Sequence, residues 1–122
     1  MKKITKSQLE AKISEEIIKI EKDFMGRGPI ETRTYIIKDA VFVRLNGVLT
    51  PAEKQLAKTA DGADLIKETR IQLLQGAGGL LKNSITEITG LSIKSFHSDL
   101  STRTGEKIIV FVLDRDLEIE II

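Results

Sequence analysis

The sequence predicts an α+β fold, an αββαββ two-layer sandwich in which a four-stranded, mainly antiparallel sheet carries helices on one face. The chain makes two similar passes of helix, glycine, strand and strand, over about residues 7–50 and 51–114. Every predicted connection between strands is a short turn or a long helical return, which favours antiparallel pairing. A chain of 122 residues suits one core, so we expect a single domain over residues 1–122.

The first helix is predicted by apolar residues at spacings of three and four, which place them on one helical stripe. The segment Ser7-Gln8-Leu9-Glu10 has the form of a capping box, and Gly26 and Pro29 end the helix. The apolar stripe consists of Leu9, Ile13, Ile17, Ile20 and Phe24.

Two strands follow, over residues 31–38 and 40–50, and both are rich in Thr, Tyr, Ile and Val. Lys38 and Asp39 form the predicted turn between them. Alternation divides the second strand into one face with Val41, Val43 and Leu45 and another with Phe42, Arg44 and Asn46.

The second pass begins with the strongest helix start in the chain. Thr50-Pro51-Ala52-Glu53 combines an N-cap, a proline at the first helical position and a glutamate that reaches back to the cap. Helical character continues to about Thr89, and Gly90 ends it. A break is expected near Asp61-Gly62, with Asp61 or Asp64 capping the longer helix.

The last two strands cover residues 91–100 and 107–114, joined by a hairpin around residues 101–106. Residues 108–113 are apolar on both faces, as in a central strand that is covered on both sides. Helices can cover one side, and we expect a second subunit on the other, which makes the chain a homodimer. Residues 117–122 alternate, so they form an extra edge strand, pair with another chain or are a frayed terminus.

Composition excludes several classes of function. The chain has no cysteine, so disulfides, thiolate catalysis and thiolate metal sites are excluded. The net charge of +1 gives no field for binding phosphate backbones, and nucleic acid is not an expected partner. With no signal peptide or transmembrane segment in the pattern, we expect a cytoplasmic protein without a cofactor. Lys2, Lys3 and Lys6 form a basic end that either contacts anionic lipid or only solvates the terminus.

The first candidate site is Gly26-Arg27-Gly28, just before Pro29. Two glycines allow a close approach of backbone to a ligand, and the Arg27 fork suits carboxylate, phosphate or bicarbonate. The alternative is a helix C-cap with an arginine near the negative helix end, in an exposed loop where it adds little stability.

The second candidate site is the only histidine of the chain, His97, with Asp99. Residues two apart on a strand share a face, so the carboxylate could orient the imidazole as an acid–base pair or as half of a metal site. One histidine supplies too few ligands for zinc, so no metal site is assigned. The alternative is a histidine that is satisfied by hydrogen bonds on a sheet face.

The segment Gln75-Gly76-Ala77-Gly78-Gly79 resembles a phosphate loop only in its glycine content. It lacks the terminal Lys-Ser/Thr and follows a helical stretch, so we assign no nucleotide site there. We expect these small residues to let another backbone pack closely against the helix.

The ordered set of motifs resembles a small bacterial family, the MpsC domain, named after a sodium-translocating membrane-potential-generating system. The resemblance covers about residues 9–117. Its motifs are Met25-Gly26-Arg27-Gly28-Pro29, Val43-Arg44-Leu45-Asn46-Gly47-Val48-Leu49-Thr50-Pro51-Ala52-Glu53-Lys54, Thr89-Gly90, His97-Ser98-Asp99-Leu100-Ser101 and Gly105-Glu106.

The resemblance implies a soluble protein associated with a two-part membrane system that takes up cations and inorganic carbon, and it implies no catalytic residues. We therefore expect a non-enzymatic accessory or regulatory domain that binds a protein of that membrane system or a small anion, in the cytoplasm or at the membrane periphery. The alternatives are a small hydrolase or lyase that uses His97, Asp99 and Arg27, and a structural scaffold.

Overall fold

A computed structural model describes residues 4–120 and confirms the α+β class. Its sheet has the strand order β1-β2-β4-β3 and is antiparallel throughout. The elements are α1 (Lys6–Met25), β1 (Glu31–Ile37), β2 (Ala40–Asn46), α2 (Pro51–Leu56), α3 (Ala60–Thr89), β3 (Ile93–Leu100), β4 (Lys107–Leu113) and α4 (Leu117–Glu120).

The core lies between the sheet and the helices α1 and α3. Alternate residues of β2 and β4 face the helices and are buried, which confirms the two-residue period predicted for β2. Each buried aliphatic side chain contributes about 1.5–3 kcal/mol relative to an exposed one, so this layer carries most of the stability. Its members include Ile13, Ile17, Leu81, Ile85, Val41, Val43, Leu45, Ile109, Phe111 and Leu113.

The start of α1 differs from the predicted capping box. Thr5 is the N-cap, and its Oγ1 accepts a hydrogen bond from the Gln8 amide at 3.1 Å, while the Gln8 side chain accepts one from the Thr5 amide. The helix therefore begins earlier than Ser7 predicts. Phe24, on the predicted buried stripe, is 39% exposed, because the buried part of α1 ends at Glu21 and the last four residues of the helix lie beyond it.

The helical stretch of the second pass breaks over residues 57–59, just before the break predicted near Asp61-Gly62. Residue Thr59, not Asp61 or Asp64, caps α3, and its Oγ1 accepts from the Gly62 amide at 3.0 Å. A Cβ at Gly62 would lie 1.9 Å from the carbonyl oxygen of Leu56, so the two helices can meet this closely only because Gly62 has no side chain.

The glycine-rich segment Gln75–Gly79 lies in the interior of α3, which runs through it without interruption. A Cβ added at Gly76, Gly78 or Gly79 would meet no atom within 4 Å. The expectation that another backbone packs closely here is wrong for the described residues, where these positions border open space.

Residues 117–120 are helical rather than extended. The amide of Leu117 donates to the carbonyl of Lys38 at 2.9 Å, and Leu117 is buried. An edge strand is therefore wrong for residues 117–120, and residues 121 and 122 of the predicted strand lie outside the described residues. At the other end, Lys6 pairs with Glu118 at 3.4 Å, while Lys2 and Lys3 lie outside the described residues.

The capping box of α2 generates a stability prediction. Thr50 Oγ1 accepts from the Glu53 amide at 3.1 Å, and Glu53 Oε1 accepts from the Thr50 amide at 2.9 Å. Thr50→Ala should lower the free energy of unfolding by about 1 kcal/mol. Thr69→Ala, at an exposed position inside α3, is the control and should leave it unchanged or raise it. Equal urea midpoints for Thr50→Ala and the unaltered chain would contradict the assignment of this cap.

Candidate functional site

Arg27 is held by backbone carbonyls of the loop between β2 and α2. Its Nη1 donates to Leu49 O at 3.2 Å and its Nη2 to Gly47 O at 3.1 Å. The side chain is half-buried, so the expectation of an exposed loop arginine is wrong. Gly26 ends α1 in the left-handed region at φ +80°, with its amide bonded to Lys22 O. The arrangement joins the end of α1 to the β2–α2 loop.

His97 and Asp99 share the sheet face that points away from the helices, as alternation predicts, but each has its own partner. His97 Nε2 lies 3.2 Å from Ser95 Oγ. The Asp99 carboxylate accepts from the Leu100 amide at 2.9 Å and lies 3.5 Å from Lys67 Nζ. Within residues 4–120, no hydrogen bond joins His97, Asp99 and Arg27, and no group of three or more acidic or histidine side chains is placed to hold a metal ion.

The face of the sheet opposite the helices carries a patch of apolar side chains, which we call the open face. The rings of Tyr35 and Phe42 lie 6.2 Å apart across β1 and β2. Tyr35 is 40% exposed and Ile37 is 55% exposed, so no element among the described residues covers them. The open face consists of Tyr35, Ile37, Phe42, Ile108, Val110 and Val112.

Strand register places three charged residues in one row at the margin of this apolar patch. Arg33 pairs with Arg44 across β1 and β2, Arg44 with Ile108, and Ile108 with Asp99. The row therefore changes from positive at the β1 edge to negative at the β3 edge. The two arginines are exposed and have local partners, Glu31 at 2.5 Å from Arg33 and Glu106 at 2.7 Å from Arg44.

The contacts of Arg70, which the sequence did not predict, connect α3 to the beginning of α2, and we call them the Arg70 clamp. Arg70 of α3 donates to both carboxylate oxygens of Glu53, at 2.8 and 2.6 Å, and to Val48 O at 2.9 Å. These bonds lower the pKa of Glu53 from 4.5 to about 2, and the backbone bond with Thr50 adds to the effect. Because this pKa is lowered, the carboxylate stabilises the fold above about pH 4.5, and that contribution is lost as the pH falls toward 2.

Another feature is an ion pair inside the core. Lys107 Nζ lies 2.5 Å from Glu21 Oε1, and the two side chains are only 6% and 7% exposed. The pair connects α1 to the central strand β4. Alternation could have found Lys107, because it shares the inward period of Ile109 and Phe111, but nothing local in the sequence identifies its partner 86 residues away.

These observations define a small α+β domain with one covered and one uncovered sheet face. A family model described as "Na+-translocating membrane potential-generating system (MpsC)" matches residues 5–115, and the chain belongs to this family. The resemblance of its motifs to the MpsC domain is thereby confirmed. None of the helices within residues 4–120 is long and apolar enough to cross a membrane.

Two curated relatives come from Bacillus subtilis (strain 168). Uncharacterized protein YbcI is 46% identical over 118 residues, which cover 97% of this chain and 94% of the relative. Uncharacterized protein YrhF is 25% identical over 103 residues, which cover 84% of each chain. No solved structure matches the chain significantly. The chain therefore spans most of the length of both relatives.

The buried ion pair generates the prediction for this region. Lys107→Met leaves the Glu21 carboxylate buried without its partner and should lower the free energy of unfolding by about 3–5 kcal/mol. The double variant Lys107→Met with Glu21→Leu should recover most of that loss, since an apolar replacement of a buried pair is often neutral.

The exposed pair Arg44–Glu106 provides the control, because Arg44→Met should cost less than about 1 kcal/mol. All variants are compared by chemical denaturation at neutral pH. A loss for Lys107→Met no larger than that for Arg44→Met would show that the buried pair has no special role.

Proposed function

We propose that this chain is a non-catalytic accessory component of a sodium-linked membrane-potential-generating system, and that it acts in the cytoplasm as a homodimer in contact with a protein of that system. Family membership supports the connection to the membrane system. The observation that carries the homodimer is the open face, since β4 is apolar on both sides and the helices cover one.

The charge row at the margin of the open face favours a second copy as its partner. Two copies stacked face to face about a two-fold axis parallel to the strands place β1 of each copy over β3 of the other. Arg33 then faces Asp99 of the second copy, and Tyr35 faces its His97, because each pair shares a row. An axis perpendicular to the strands would instead place Arg33 over Ile37, which buries a charge against an apolar side chain.

In the proposed dimer, each candidate residue from the sequence either contacts the second copy or stabilises a loop of its own chain. His97 and Asp99 lie at the rim of the dimer interface, and the exposed Asp99 can exchange Lys67 for Arg33 of the second copy at little cost. Arg27 holds the β2–α2 loop, Gly26 ends α1, and Gly28 lies beside Ile18 of that helix. The hydrolase or lyase alternative has less support, because His97 bonds to Ser95 and the Arg27 guanidinium is used by carbonyl groups.

Charge reversal tests the orientation of the two copies. Arg33→Asp and Asp99→Arg should each weaken dimerisation by about tenfold, since each creates like-charge contacts across the interface. The double variant should restore the original dissociation constant, measured by sedimentation equilibrium. Lys58→Asp, an exposed change outside the open face, is the control for net charge. A double variant that dimerises as weakly as the single variants would exclude this orientation.

A cellular experiment tests the function itself. In a bacterium that lacks the gene, a voltage-sensitive dye should report a smaller sodium-dependent membrane potential, which the unaltered chain restores. Ile37→Glu on the open face should fail to restore it. Leu65→Glu on α3 is the matched control, because Leu65 is 54% exposed and Ile37 is 55% exposed.

The outcomes separate the two parts of the proposal. A potential that does not change when the gene is deleted would contradict the accessory function. Full restoration by Ile37→Glu at normal protein levels would show that the open face is not needed for it.

A further inference from the structure

A groove separates α3 from the edge strand β3. Two neighbouring cavities form it, and both are lined by Ile71 and Leu74 of α3 and by Ser98 of β3. One cavity extends toward Leu100 and the other toward Phe96. The shared lining makes them one continuous groove, on the helix-facing side of the sheet and distinct from the open face.

The sheet margin beneath this groove is not covered by α3. Ser98 pairs with Ile109, whose side chain is fully buried on the helix-facing side, yet Ser98 itself is exposed. Phe96, on the same side, is only half-buried and packs on Phe111 at 5.2 Å between ring centroids. The helical layer therefore ends before the sheet does.

The backbone of β3 is unpaired along this margin. Within residues 4–120, β3 pairs with β4 on one side only, which leaves alternate N–H and C=O groups without a strand partner on the other, where the Leu100 amide bonds to the Asp99 carboxylate. The register irregularity is confined to Ile93–Ser95, so residues 96–100 are a regular edge. Only an extended segment can satisfy a row of strand hydrogen bonds, so the geometry selects a peptide strand rather than a helix.

The glycines of α3 provide room for the side chains of such a strand. Gly78 and Gly79 line the groove, and a Cβ at either position would meet nothing within 4 Å. Three glycines weaken a helix, each by about 1 kcal/mol relative to alanine, with no close packing among the described residues to compensate. A strand added to β3 would fill this space with its inward side chains.

The charges around the groove indicate the charge of the side chains on the added strand. Lys67 and Lys82 stand at its rim, and Lys82 Nζ lies 5.8 Å from the centre of the Phe96 ring. Arg70 also lines the groove, and its Nη1 has no hydrogen-bond partner within residues 4–120. Asp99 is the one acidic residue in the lining. A second copy of β3 would bring two sets of lysines together, so charge favours an acidic segment from a different protein.

We propose that the groove between α3 and β3 binds an extended segment of a partner protein in which apolar and acidic residues alternate, and that this segment adds to β3 as a fifth strand. Its apolar side chains point inward under Ile71 and Leu74, and its carboxylates, on the other side of the strand, reach Lys67, which already extends to Asp99 on that side. The proposal goes beyond the dimer, because stacking at the open face leaves the β3 edge free.

A synthetic peptide of about eight residues with alternating isoleucine and glutamate is the probe. In the ¹⁵N-labelled chain it should shift the amide resonances of residues 96–100 and of Gly78 and Gly79. Gly78→Leu should weaken binding by tenfold or more, because the new side chain fills the groove. Gly76→Leu is the matched control, since Gly76 also borders open space, lies outside the groove lining and gains the same helix propensity.

Two further peptides determine the mode of binding. Backbone N-methylation at alternate residues keeps every side chain but removes the donors to β3, and it should abolish the shifts. Lysine in place of glutamate should weaken binding by at least tenfold.

Several results would overturn the proposal. These are no shift at millimolar peptide, equal losses for Gly78→Leu and Gly76→Leu, shifts confined to the open face, or equal binding of the lysine peptide. Pairing of the β3 edges of two copies would overturn the proposal as well. Such pairing would appear as slow exchange of the β3 amides, and the slow exchange would be lost on dilution. None of these results depends on the sodium-linked function, which the cellular experiment tests separately.

Discussion

The architecture depends on one constraint: the central strand β4 is apolar on both faces, and within residues 4–120 helices cover only one of them. On the covered face, Ile109 and Phe111 are fully buried beneath α1 and α3. On the other face, Val110 and its neighbours remain partly exposed, beside a row of charges that reverses sign across the sheet. A surface of this kind is stable in water when a second surface covers it.

Ionic contacts connect the helices to the covered side of the sheet. The pair Lys107–Glu21 connects β4 to α1, and the Arg70 clamp connects α3 to the loop after β2. With α3 in this position, Ser98 at the β3 margin remains exposed. The contacts that stabilise the domain therefore also leave two surfaces exposed, the open face and the β3 edge, and a protein that acts by contact needs such surfaces.

The sequence predicted the parts of this structure that local patterns determine. The alternation of β2 and the capping box at Thr50 depend on residues a few positions apart, and both are present. The partner of Lys107 and the carbonyl groups held by Arg27 lie 20 or more residues away, where no periodicity operates. For His97 and Asp99 the shared face was predictable, but their hydrogen bonds were not, because side-chain rotamers and a lysine from α3 determine them.

Small-angle X-ray scattering from the unaltered chain at about 50 µM tests the central claim most directly, because it measures mass and shape together. Two stacked copies should scatter with twice the mass of one chain and a radius of gyration of about 18 Å, against about 14 Å for a single compact chain. Scattering with the mass of one chain and a radius of about 14 Å at this concentration would contradict the account, since the open face would then be stable in water without a second copy.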